Sequence, residues 1–132
     1  MSIRMSYSDF FDKCLLIKYS DAGNITSFGA PMSCYGMVYW FYKLCLGIEL
    51  EKGKVERLAD IKYVDYKQVK MPVNNDIVFM YSPTNRVSGQ HAGIYRDGYV
   101  YHFTYDGLRV VHLTDLRDFI RGYFHVDESK NS

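Results

Sequence analysis

The chain lacks a cysteine framework, an excess of charge of either sign and any long apolar run. Each absence excludes a class of protein. It has 3 Cys in 132 residues, an odd count with no C-x-x-C pair. A disulfide-stapled scaffold and a zinc-ribbon spacing are therefore not expected, and at least one thiol is free. The 16 basic and 15 acidic residues leave a formal net charge of +1. Nothing in that balance provides an electrostatic grip on nucleic acid or on an anionic membrane. Met1-Ser2-Ile3-Arg4-Met5-Ser6 leads into polar residues and not into an apolar run. The expectation is a chain made in a reducing cytoplasm, with no secretory signal and no insertion into a membrane. No internal repeat and no low-complexity segment occurs.

What is present suits one compact domain spanning residues 1–132. Apolar residues make up 48% of the chain, enough for a core, and aromatics reach 17%, with 13 Tyr. Two uses of those rings stay open: an aromatic core, or a groove that stacks on sugars or extended peptides.

Ser6-x-x-Asp9 reads as a capping box, followed by a helical stripe of Phe10, Phe11, Cys14 and Leu15. Residues 18 to 33 hold Gly23, Asn24, Gly29 and Pro31 and read as a loop. A second helix starts at Cys34 with Ser33 as N-cap. Val38, Phe41 and Cys45 continue one face, and Gly47 is the stop. Residues 51 to 70 alternate in charge and read as a solvated surface segment.

The period then changes. Strands are expected at 76 to 81, 90 to 96, 99 to 105 and 108 to 112. Thr114 caps a short helix carrying Leu116, Phe119 and Ile120 and ending at Gly122, and 123 to 126 add a last strand. Helices followed by antiparallel strands predict an α+β domain, its N-terminal helices packed on a four- to five-stranded antiparallel sheet.

Asp97-Gly98 between two such runs is a strong hairpin signal. A two-residue turn pairs Arg96 with Tyr99, His102 with Gly93 and His91 with Thr104. Paired residues share a face, so His91, Gly93, His102 and Thr104 point the same way. His91 and His102 become diagonal neighbours, with Cα atoms roughly 7–8 Å apart, and Gly93 leaves room between them. Two such histidines suit a base and the group that orients it; two half-exposed sheet histidines are the plainer alternative.

A nucleophile favours the first reading. Cys34 heads a helix, where the end charge and a nearby His lower a thiol pKa from about 8.5 toward 3.5–7.5. The unpaired N–H groups of the first turn suit an oxyanion. Cys14 and Cys45 sit in apolar stripes and read as inert core. Cys34, His91 and His102 could alternatively hold a metal, but no fourth ligand is evident and no metal or cofactor is expected. His112 and His125 read as exposed strand histidines.

At this point the residues resemble a family. Ser33-Cys34-Tyr35-Gly36-Met37-Val38, with Leu46-Gly47-Ile48-Glu49-Leu50 after it, is similar to the nucleophile helix of NlpC-type cell-wall cysteine peptidases. Asn75-Asp76-Ile77-Val78-Phe79 is similar to that family's Gly-Asp strand. His91-Ala92-Gly93-Ile94-Tyr95, Asp97-Gly98 and His102 resemble its base-histidine hairpin. The resemblance runs from about Tyr19 to His102. It implies a papain-like fold and thiol hydrolysis of peptide bonds in bacterial peptidoglycan stems. It makes Cys34 the nucleophile, held as a thiolate against a His91 imidazolium, His91 the base and His102 its orienter. Tyr19 matches a Tyr that helps the oxyanion site.

Two positions depart from the pattern. Ser33 stands where the family has Asp; either caps a helix, but that Asp also helps bind the substrate amine, so substrate identity is open. Asn75 replaces Gly, which left-handed geometry tolerates. The Cys-Tyr-Gly variant, the short length and the stretch Leu113 to His125 look most like the phage tail branch. That likeness implies a place in the virion tail, with tail-tip proteins and peptidoglycan as partners. Two other readings stay open: a structural tail or assembly protein whose site is silent, and a thiol acyltransferase on the same scaffold.

Overall fold

The computed structural model describes residues 4–20, 27–50, 66–81 and 91–126. Helix α1 spans Tyr7–Cys14 and opens as the capping box requires, with the Ser6 hydroxyl accepting the Asp9 N–H at 3.1 Å. Phe10, Phe11 and Cys14 are buried, whereas Leu15 falls on the C-cap and is 63% exposed. The expected stripe is therefore one residue shorter.

Helix α2 spans Cys34–Phe41, and all eight of its residues are buried. A π-helical turn, Tyr42–Leu46, extends it to Gly47, which ends the run at φ 71°. Such left-handed geometry is the usual glycine stop.

Among the described residues six strands follow: β1 Tyr66–Val69, β2 Ile77–Met80, β3 His91–Arg96, β4 Tyr99–Thr104, β5 Gly107–His112 and β6 Ile120–Val126. They form one antiparallel sheet in the order β1-β6-β2-β3-β4-β5. The fold is mixed α+β. Four of the strands lie where the sequence predicts them, and β6 covers the expected last strand but begins three residues earlier. The sixth, β1, falls inside the charged segment expected to be solvated surface; it pairs with β6 at the sheet edge, where charge is compatible with a strand. Residues 51–65 of that segment, and 21–26 of the predicted loop, lie outside the described residues.

The segment after β5 also differs from expectation. It is a 3-10 helix, Leu113–Phe119, capped by the His112 ring, which accepts the Thr114 N–H. Ile120 and Gly122 belong to β6. Thr114 is thus the capped residue and not the cap.

Period-2 alternation sorts the sheet into two faces. One carries Ile77, Phe79, Ala92, Ile94 and Phe103 and packs against α1 and α2 in the larger core. There Phe11 stacks on Tyr101 with centroids 4.2 Å apart. The other carries Val78, Met80 and Val100 and is covered by Leu116 of the 3-10 helix. Many of the large aromatics serve the core: Tyr39, Tyr42, Phe10, Phe41, Phe79 and Phe103 are all at or below 2% exposure. Each such side chain contributes roughly 1.5–3 kcal/mol by burial. Among the described residues, no helix is long and apolar enough to cross a membrane.

Candidate active site

The hairpin forms in the predicted register, with Arg96 opposite Tyr99 and Gly93 opposite His102. Asp97 (φ 51°) and Gly98 (φ 91°) both take left-handed conformations at its turn. This is the pairing that a two-residue primed turn needs, because its twist matches that of the strands.

The two histidines meet as expected. His91 Nε2 and His102 Nδ1 are 2.8 Å apart, with the rings nearly perpendicular. Both are buried, at 6% and 3% exposure, so they are not half-exposed sheet histidines. Gly93 makes this possible. A Cβ there would lie 2.8 Å from the Tyr101 carbonyl oxygen and 3.0 Å from His102 Cβ.

Burial sets the charge of the pair. It lowers the His91 pKa from 6.5 to about 3, with the neighbouring His102 adding to the effect. His102 falls to about 4, again chiefly through burial, with the charge of Arg109 opposite it on β5 contributing. Burial therefore favours the neutral form of both rings. One proton sits between the two nitrogens. When His91 Nε2 carries it, His91 Nδ1 is left as an acceptor, the form a general base needs. The remaining proton of the pair is then on His102 Nε2, which is buried without a hydrogen-bond partner among the described residues.

Cys34 is the first residue of α2 and is 4% exposed. Ser33 caps the helix as predicted: its hydroxyl accepts the Gly36 N–H at 3.3 Å and the residue is buried. Two hydrogen bonds orient α2 on the sheet. The Tyr42 hydroxyl donates to the Asn75 carbonyl, and the Asn75 N–H donates to the Tyr95 carbonyl at 2.8 Å. The far end of α2 is thereby held at the Tyr95 end of β3, and Cys34 lies toward the His91 end. Helix α2 packs on the face of Ala92 and Ile94, whereas His91 pairs with Met80 and projects from the other face of the sheet.

Tyr19 joins the same end. A bridge ties it to Met32, two residues before Cys34, and its ring stacks on Phe103 and lies 4.5 Å from that of Tyr105. Asn75 takes φ 80°, a left-handed conformation that Asn tolerates.

Cys14 and Cys45 are buried, and burial pushes both thiols up to about 12. They are inert core residues, as their stripes predict. Among the described residues no three His, Cys, Asp or Glu side chains converge as a metal site needs.

One pair escaped the sequence. His125, expected to be an exposed strand histidine, is half-buried, and its Nδ1 lies 2.6 Å from Asp76 Oδ1. Asp76 is 1% exposed and also accepts the Val73 N–H. The pair joins β6 to the start of β2, at the end of the sheet away from His91. Only the insertion of β6 beside β2 brings the two together, and no local signal foretells that.

Comparison with protein-family models finds none that matches this chain, and comparison with curated proteins finds no match either.

Proposed function

We propose that the chain is a papain-like thiol hydrolase of the NlpC type that cleaves peptide bonds in bacterial peptidoglycan stems. The observation that carries the reading is the buried His91–His102 hydrogen bond. It fixes one imidazole through another and, with His91 Nε2 as the donor, makes His91 Nδ1 an acceptor, at the end of the sheet where a capped helix begins with a cysteine.

Neutral rings define the first step. Cys34 Sγ attacks the amide carbonyl carbon while its proton passes to His91 Nδ1. The tetrahedral oxyanion is met by N–H groups at the start of α2 and by Tyr19. Collapse breaks the C–N bond, and His91 gives its proton to the leaving amine. The thioester is then hydrolysed by water whose proton His91 accepts, and the thiol is restored. His102 holds the His91 tautomer throughout. Ser33 keeps α2 capped and lines the approach for the amine side of the substrate.

The place of action we propose is the phage tail, with tail-tip proteins as neighbours and wall penetration as the role. The reading is tested by incubating the purified chain with peptidoglycan sacculi and identifying released fragments by mass spectrometry, beside Cys34→Ala. New stem-peptide fragments that the variant does not release are expected. Equal fragments from both proteins, or none from either, would sink it.

A further inference from the structure

Strand β6 is not regular. Gly122 pairs with Phe79 and Ile120 with Met80, so Arg121 is an extra residue without a partner on β2. This is a β-bulge, a device that re-aims a side chain and is frequent beside active sites. The Arg121 guanidinium carbon lies 4.9 Å from the centroids of both the Phe79 and the Tyr81 rings. Phe79 is buried in the core that includes α2 and Cys34, so the guanidinium lies on the same face of the sheet as that helix.

It is also at the same end of the sheet. Met80 pairs with His91 on one side and with Ile120 on the other. Two strand spacings, roughly 10 Å, thus separate the His91 and Ile120 backbones. Arg121 is exposed, and no carboxylate among the described residues pairs with it. Aromatic contact fixes a guanidinium by its faces and leaves its in-plane N–H fork available. That fork fits a carboxylate with two parallel hydrogen bonds.

We infer that Arg121 is a specificity residue that binds a free carboxylate of the peptide substrate a few residues from the bond to be cleaved. The inference rests on the hydrolase reading for its substrate. The His91 ring shares the opposite face with Met80, and an extended peptide advances at most about 3.3–3.6 Å per residue, so about three residues or more separate the carboxylate from the bond. Peptides with a carboxamide at that position are poorer substrates.

The test uses two synthetic stem-type peptides that differ only in a carboxylate or a carboxamide there. The wild-type chain is expected to prefer the carboxylate by about ten- to hundredfold in kcat/KM, mostly through KM. Arg121→Gln brings that ratio to about one. Arg121→Lys, which keeps the charge but loses the fork, gives an intermediate ratio and guards against misfolding of the Gln variant. A ratio that persists in Arg121→Gln overturns the inference while leaving the hydrolase intact. If the wild type cleaves neither peptide, NMR titration of both peptides decides. Carboxylate-dependent binding that Arg121→Gln loses supports the site although hydrolysis has failed; equal binding, or none, overturns it.

Discussion

His91 Nε2 lies 2.8 Å from His102 Nδ1, across a hairpin that returns the chain to within one hydrogen bond after eleven residues. That contact makes His102 a positioning residue: it holds a ring that acts on the thiol. His102→Ala is expected to lower kcat by roughly 10²–10⁴-fold, the usual range for a disabled general base. KM should change little. His102→Asn, which can still accept from His91, should recover part of the loss. Steady-state kinetics on a stem peptide measure both, and a purely structural role for His102 would instead show equal kcat for Ala and Asn variants.

Gly93 is tested by one methyl group. A Cβ at this position meets a backbone oxygen at 2.8 Å and His102 Cβ at 3.0 Å. Backbone cannot yield as a flexible side chain can. Gly93→Ala should destabilise the chain by about 1–3 kcal/mol, the common cost of overpacking. Urea denaturation gives the figure. Turnover should fall further than the stability loss explains, because the ring that moves is the one that positions His91.

The pH dependence of stability follows from the same pair. Both folded-state pKa values, about 3 for His91 and about 4 for His102, lie below the ordinary 6.5. Between those values the unfolded chain binds more protons than the folded one, so stability rises with pH there. The contribution is fully present above about pH 6.5 and is lost as pH falls, down to about 4 for His102 and about 3 for His91. Each buried ring sets a slope of at most about 1–1.5 kcal/mol per pH unit. Denaturant midpoints between pH 4 and 7 should show it, and the doubly substituted His91→Gln, His102→Gln chain should show a shallower slope.

Ser33 is expected to act through the helix it caps. Ser33→Ala removes the acceptor of the Gly36 N–H. The cost should be about 1 kcal/mol, within the usual 0.5–2 kcal/mol for a lost cap. Ser33→Asp keeps an acceptor and places a negative charge at the positive end of α2, so its thermal midpoint should stay near that of the wild type. Thermal unfolding followed by circular dichroism distinguishes the two variants.

Much of this site could be read in the chain because its parts are local. Ser6 and Ser33 announce their helices through side chains that reach three residues ahead. Asp97-Gly98 announces its hairpin because few other residues accept the turn's positive φ. The register of that hairpin then places His91, Gly93 and His102 by counting alone. Local logic fails where the partner is remote. Tyr66–Val69 reads as solvated charge because its strand identity comes from β6, more than fifty residues later. His125 reads as a surface histidine because Asp76 reaches it only after β6 inserts beside β2. Leu15 reads as core because the helical period does not say where α1 stops.

The sequence by itself therefore determined the two capped helices, the hairpin with its paired histidines and the inert character of Cys14 and Cys45. Each depends on spacing within a few residues or on one turn. Tertiary structure alone decided which face α2 covers, which end of the sheet Cys34 shares with His91, how deeply the imidazoles are desolvated, and where Arg121 bulges out. Those properties are set by sheet order and by packing between distant segments, and no local period encodes them.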